Sequence, residues 1–144
     1  MCLVVFRLSK DYIKDVFPIV SPFLQSALEK TAGEYLLSDI YDLLLKDLEQ
    51  LWIGCDETTK NIELAFTTKI TEYPQKRVLL IHLAGSTPNS AETWLAEGSK
   101  SLEEFCKLEK IDFIQAFGRL GWLKYNKDLG YTKYMASFIK ELRK

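Results

Sequence analysis

The stretch from Val78 to Ala84 is apolar except for His82. Pro74 precedes this run and Gly85 ends it. A short run with such borders is typical of a strand buried on both faces, whereas a buried helical segment would not close on Gly-Ser-Thr-Pro. We therefore predict a central strand here, and the other elements are ordered around it.

The segment before this strand, residues 62–70, shows the clearest alternation in the chain, with Ile62, Leu64, Phe66, Thr68 and Ile70 on one side and Glu63, Thr67 and Lys69 on the other. Such alternation is typical of an antiparallel strand with one buried face. Further strands are predicted at Cys2–Leu8 and Leu51–Cys55 before it, and at Ile111–Phe117 and Tyr131–Leu142 after it.

The first predicted helix begins at a Ser9 cap and contains two prolines. Because proline lacks the amide that a helix interior needs, we expect this helix to kink or stop at Pro18. Ser21-Pro22 has the pattern of a restart, with serine as the cap and proline at the first helical position.

A second helix is predicted from Ser38 through Gln50, and a third begins at an Asn89 or Ser90 cap. A short helix after residue 118 is expected to end at Gly130 in the left-handed conformation. The third helix joins strands 78–84 and 111–117, so these two strands should be parallel neighbours with a right-handed crossover.

The composition fits one domain spanning residues 1–144, because 47% of the 144 residues are hydrophobic and can form a core. A net charge of −1 gives no general attraction to nucleic acid or to an anionic membrane. Cys2, Cys55 and Cys106 are too scattered for a disulfide framework. With no basic leader and no apolar stretch long enough for a membrane span, we expect a cytoplasmic protein.

Two stretches resemble a known superfamily. The first is Thr71–Gly85, and the second is Phe117–Trp122 followed by Lys124, Gly130 and Tyr131. With the element order, they resemble the GNAT superfamily of acyl-CoA-dependent N-acyltransferases over residues 35–144. The second stretch is similar to the pattern G-R-x-G-W-x-(K/R)…G-(Y/F) of small GNAT-like proteins of short-tailed bacteriophages.

The resemblance implies an α/β fold with a mixed sheet of about six strands, an antiparallel N-terminal meander and helices on both faces. It also implies acetyl-CoA or CoA as a cofactor, an amine as the acceptor, and the host cytoplasm or the virion as the location.

The resemblance further implies where CoA would bind. Pantetheine would run along Ile81, His82 and Leu83, and the pyrophosphate would meet the loop that starts the third helix. That loop departs from the family signature Q/R-x-x-G-x-G/A, because it has one glycine, no cation and Pro88 in place of an amide donor. An ordinary capped loop is the alternative. The loop residues that can still offer hydrogen bonds are Gly85, Ser86, Thr87, Asn89 and Ser90.

The family often protonates the leaving thiolate with a tyrosine four residues before the terminal glycine, and that position is Asn126 here. Asparagine cannot donate and recover a proton as a phenol can. Tyr131 is the substitute we consider, with Tyr134 as another, although both also suit a sheet. For the base, Glu63 and Glu72 stand where the family places one, and a solvated carboxylate is the alternative for each.

The sequence leaves the roles of three other residues open. His82 is the sole histidine, so it cannot build a multidentate metal site by itself, and we predict no metal. It is either a hydrogen-bonded core residue or, with a carboxylate and a nucleophile nearby, a catalytic base, although no such triad is visible in the sequence. Arg119 and Trp122 lie at a glycine-bracketed corner that either binds an anion or packs helix against sheet.

Two functions follow. One is a phage-type N-acyltransferase with degenerate cofactor and acid motifs. The other is a non-catalytic virion component or a host-protein-binding effector on the same scaffold. The degenerate loop and Asn126 favour the second, and the resemblance to acetyltransferase-like proteins favours the first.

Overall fold

The computed structural model describes residues 3–88, 91–117 and 127–143, with the backbone alone at 91–93 and 127. The strands are β1 (Leu3–Arg7), β2 (Gln50–Asp56), β3 (Ile62–Glu72), β4 (Arg77–Ser86) and β5 (Phe113–Ala116). The helices are α1 (Ile13–Leu28), α2 (Leu37–Leu45) and α3 (Ala91–Leu108).

The strands form one mixed sheet in the order β1-β2-β3-β4-β5. The first three pairs are antiparallel, and β4 pairs parallel to β5. This arrangement confirms the predicted α/β class, the N-terminal meander and the parallel pair joined by α3.

Helices cover both faces of the sheet, as predicted. On one face α1 and α2 pack on the inward side chains of β2, β3 and β4, with Val20, Leu24 and Ile40 fully buried. On the other face α3 inserts Trp94 and Leu102 among side chains of β1 to β4. Among the described helices, none is both long and apolar enough to cross a membrane.

Helix α1 is continuous from Ile13 to Leu28, so the predicted stop at Pro18 and the predicted restart at Ser21-Pro22 are wrong. Lys14, Pro18 and Pro22 are all exposed. The carbonyls that lose an amide partner therefore lie on the solvent side, where water can replace the missing bonds. The buried stripe on the opposite side holds the helix together across both prolines.

Helix α2 ends at Leu45, not at Gln50 as predicted. Asp47 has a φ of 59°, and the amides of Leu48 and Glu49 both donate to the carbonyl of Leu43, which closes the helix. Gln50 then begins β2, where its side chain accepts a hydrogen bond from the Thr68 hydroxyl at 2.8 Å. Strand pairing therefore overrides the local helical period.

The strand predicted at 131–142 is also absent from the described residues, which leaves the described sheet with five strands instead of six. Residues 132–143 are exposed and carry no strand pairing. Alternation shows that a segment can pack on a sheet face, but it does not supply a neighbouring strand. The predicted short helix lies largely outside the described residues, although Gly130 has the expected positive φ, 91°.

Gly85 is required by packing. A Cβ at this position would lie 2.4 Å from the carbonyl oxygen of Phe23 in α1, closer than any side chain tolerates. We expect Gly85→Ala to lower the free energy of unfolding by about 1–3 kcal/mol, because α1 must move away from β4. Denaturant unfolding measures this loss.

The matched control is Gly98→Ala in α3. There the new Cβ would meet only Val5 Cγ1, at 4.0 Å. Alanine favours a helix interior over glycine, so we expect a gain of about 0.5–1 kcal/mol. Equal effects of the two substitutions would contradict the packing role of Gly85.

Candidate functional site

The candidate site lies at the end of β4 that extends beyond its pairing with β5. The two strands pair from Val78–Phe113 to Ile81–Ala116, and β4 then continues alone to Ser86. Beyond Ile81, the described part of β4 is paired only with β3. Among the described residues its other edge therefore has no strand partner there, and we call the region beside this edge the groove.

A β-bulge marks the point where the groove begins. Thr67 faces Leu83 and Thr68 faces Ile81, so His82 is the extra residue of β4. Bulges bend a strand and redirect a side chain, and they are common beside active sites. The His82 ring packs edge-on against Tyr35, with ring centroids 4.7 Å apart, on the face covered by α1 and α2.

His82 has a carboxylate partner that the sequence did not predict. Its Nδ1 lies 3.0 Å and 3.1 Å from the two carboxylate oxygens of Glu49. Glu49 is 1% exposed, and the His82 side chain is 15% exposed. This hydrogen bond is compatible with both interpretations of His82, as a core residue and as a catalytic base. Glu49 supplies the carboxylate that the second interpretation requires.

Nothing in the sequence pointed to Glu49. It lies 33 positions from His82, inside a segment whose period predicts a helix. Only the early end of α2 and the start of β2 bring it beneath the bulge.

The loop after β4 is described only as far as Pro88, so the predicted Asn89 and Ser90 lie outside the described residues. The amide of Thr87 donates to the carbonyl of Glu63 at 2.9 Å. The Ser86 hydroxyl donates to the Thr87 carbonyl at 3.3 Å. The Thr87 amide is therefore already used within the fold, which weakens the loop as a phosphate cradle.

Glu63 is the extra residue of a second bulge, because Gly54 faces Leu64 and Cys55 faces Ile62. Among the described residues its Oε2 is buried without a hydrogen-bond partner. The carboxylate is thus not simply solvated, as the alternation suggested, and it lies beside the loop at Thr87.

Glu72 lies at the opposite end of the sheet from the groove. It forms an ion pair with Arg77, whose Nε also donates to the carbonyl of Glu109 at 2.9 Å. The Arg77 amide donates to Asp112 at 2.8 Å. Arg77 and His82 are separated along β4 by roughly 17 Å at the usual strand rise. The structure therefore does not bring Glu72 together with the groove residues.

Tyr131 lies against the C-terminal half of α3, on the other face of the sheet from His82. Burial, then Cys106 and Glu103, raise its pKa to about 12. Burial and Glu103 also raise the pKa of Cys106 to about 11. A phenol in this environment gives up its proton less readily, and it does not meet Glu72. Asn126, Arg119 and Trp122 lie outside the described residues.

In the described part of the chain, no group of three or more His, Cys, Asp or Glu side chains is arranged to hold a metal ion. No protein-family model matches the sequence, and no curated protein matches it. Solved structures, however, match it over nearly their whole length.

An aminoglycoside acetyltransferase from an uncultured soil metagenomic sample has a TM-score of 0.70 at 13% identity, over 98% of this chain and 97% of that one. A predicted acetyltransferase with acetyl-CoA from Clostridium acetobutylicum has 0.67 at 15%, over 96% of both. Glucosamine-6-phosphate N-acetyltransferase from Arabidopsis thaliana has 0.65 at 11%, over 99% and 100%. The chain has the fold of the GNAT acetyltransferases, and a fold alone does not define an activity.

The raised pKa of Tyr131 predicts a loss of stability in alkali. Between the ordinary tyrosine pKa of about 10 and about 12, the unfolded phenol ionises while the folded one keeps its proton. The unfolded state then binds fewer protons, so the free energy of unfolding falls as pH rises through this window. Tyr131→Phe should make the fall shallower in denaturant titrations from pH 9 to 12.

Tyr134→Phe is the matched control, because Tyr134 is 73% exposed. Its slope should equal that of the unsubstituted protein. If Tyr131→Phe also leaves the slope unchanged, Tyr131 is not buried against α3.

Proposed function

We propose that this protein is an acyl-CoA-dependent N-acyltransferase whose groove between β4 and β5 holds pantetheine. The observation that carries the proposal is the β4 edge beyond Ile81, which is open on the β5 side in the described structure. Pantetheine contains two amides, and an extended chain of amides can pair with such an edge as an added strand does.

The residues of the groove fit CoA in part. The backbone from Ile81 to Leu83 would hold pantetheine, and Ser86 would lie toward the phosphates at the start of α3. The described part of the loop offers no cation, and its Thr87 amide is already bonded. CoA supplies an activated acyl thioester, and the protein would hold an amine against it so that proximity lowers the barrier.

The acceptor would be a small amine or an amine-bearing sugar. Two of the similar structures are named for such acceptors, an aminoglycoside and glucosamine 6-phosphate. The phage-like pattern around Arg119 and Trp122 supports a bacteriophage origin and action in the host cytoplasm.

Calorimetric titration with acetyl-CoA tests the groove. A ligand at 100 times its dissociation constant adds about 2.7 kcal/mol of stability, which a thermal melt will also detect. Ala84 is exposed on the open part of β4. Ala84→Trp should fill the groove and weaken acetyl-CoA binding at least about tenfold, since each 1.4 kcal/mol of lost contact is tenfold.

The matched control adds the same bulk away from the opening. Lys69 is exposed on β3 and faces Leu80 of β4, before the strands diverge. Lys69→Trp should bind acetyl-CoA as the unsubstituted protein does. Absence of any saturable heat or melting shift at millimolar acetyl-CoA would overturn the enzyme proposal.

A second candidate function, a non-catalytic virion component or host-binding effector, is favoured by one observation. The C-terminal segment exposes large apolar side chains, each at least 67% accessible: Tyr134, Met135, Phe138, Ile139 and Leu142. Exposed apolar clusters of this kind commonly mark protein–protein contacts. In this function the segment would bind another protein and the groove would be unused.

Met135→Asp combined with Ile139→Asp tests this candidate. If the segment forms an apolar protein-binding surface, the double variant should self-associate less, as measured by light scattering, and should bind less of a hydrophobic dye. Acetyl-CoA binding should be unchanged, which separates this candidate from the enzyme.

A further inference from the structure

We propose that His82 carries the amine proton to the leaving thiolate during acyl transfer, and that Glu49 is its positioning residue. This inference rests on the proposed acyltransferase function. It assigns the acid–base role to a pair that includes neither Glu72 nor Tyr131.

The position of His82 is the first argument. It is the bulged residue of β4 and the first one beyond the β5 pairing. A thioester that follows pantetheine along the open edge would therefore reach its reacting end beside this bulge. Glu72, in contrast, lies at the far end of β4, and Tyr131 lies on the opposite face of the sheet.

The hydrogen bond to Glu49 fixes the tautomer. An ionised carboxylate only accepts, so with Glu49 ionised the nitrogen 3.0 Å from it, Nδ1, carries the proton. In the neutral ring the other nitrogen, Nε2, then holds the free lone pair and can act as a base. Glu49 is 1% exposed, and a carboxylate buried so deeply needs a partner of this kind.

The exposure of the ring agrees with this role. The His82 side chain is 15% exposed although its Nδ1 side faces the buried Glu49. The side chain therefore keeps an accessible fraction on which a ligand can act, and the proposal places Nε2 there. Two titratable groups contact the ring: Glu49 through the hydrogen bond, and Tyr35 through a T-shaped ring contact.

The step balances without another reactant. The neutral amine nitrogen attacks the thioester carbonyl carbon, a C–N bond forms, and the amine proton passes to Nε2. The C–S bond then breaks, and the departing sulfur takes the proton from Nε2. The products are an amide and CoA thiol, and His82 returns to its starting tautomer.

The first experiment uses the fact that His82 is the sole histidine. Nitrogen-15 NMR of the labelled protein reports each imidazole nitrogen directly, without an acceptor substrate. We expect the neutral ring to carry its proton on Nδ1, and the Nε2 signal to change when acetyl-CoA is added. Glu49→Leu should abolish the preference for the Nδ1-protonated tautomer.

Substitutions tested in a kinetic assay probe the catalytic role. The acceptors are glucosamine 6-phosphate and sisomicin, which is bound in one of the similar aminoglycoside acetyltransferase structures, and release of the CoA thiol is the signal. His82→Asn keeps an N–H toward Glu49 but removes Nε2, so kcat should fall about 10²–10⁴-fold while the KM for acetyl-CoA stays unchanged. Glu49→Gln keeps an acceptor without the charge and should lower kcat about tenfold. Glu97→Gln, on the opposite face of the sheet, is the control and should leave kcat unchanged.

The outcomes separate the two proposals. If acetyl-CoA does not bind, the acyltransferase function fails, and the role of His82 in it fails too, while the NMR tautomer still reports whether Glu49 fixes the ring. If acetyl-CoA binds but the ring carries its proton on Nε2, or its signals do not respond to acetyl-CoA, the His82 role is overturned and the groove stands. A fully active His82→Asn variant likewise overturns it.

Discussion

The pairing of β4 with two different neighbours is the constraint on which the rest of the structure depends. Its antiparallel ladder with β3 continues to Ser86, while its parallel ladder with β5 stops at Ile81. Beyond Ile81 the described part of β4 is bonded on one edge only, and its other edge is left for another partner because backbone groups need partners. The groove is therefore a consequence of unequal strand lengths.

The tight contact between Gly85 and Phe23 helps to hold this strand in place. Since α1 lies against the end of β4 with no room for a Cβ, the open part of the strand is supported from one face by a helix whose prolines point to solvent. Helix α1 therefore packs against the part of β4 that borders the groove. This packing keeps the backbone donors and acceptors of that strand edge in fixed positions.

The buried carboxylate of Glu49 adds a chemical element to this frame. Removing a carboxylate from water is costly unless it is paired and hydrogen-bonded. Here both oxygens meet one nitrogen of His82 at the bulge. Stability and chemistry are thus linked, since the same contact satisfies Glu49 and orients the ring. Glu72, expected from a family position, lies instead in an ion-pair network, and Tyr131, considered as a substitute for the family tyrosine, lies against α3.

The sequence by itself determined the α/β class, the antiparallel meander, the parallel pair around α3 and the turn at Gly130, because local periodicity and turn residues encode which face each segment buries. Only the tertiary structure decided that α1 passes through Pro18 and that Gln50 belongs to β2 and not to the predicted helix. It also decided that residues 131–142 pair with no strand of the described part of the chain. It also decided that Glu49 meets His82. These outcomes depend on register, bulges and contacts between residues far apart in the chain, which a local pattern cannot carry.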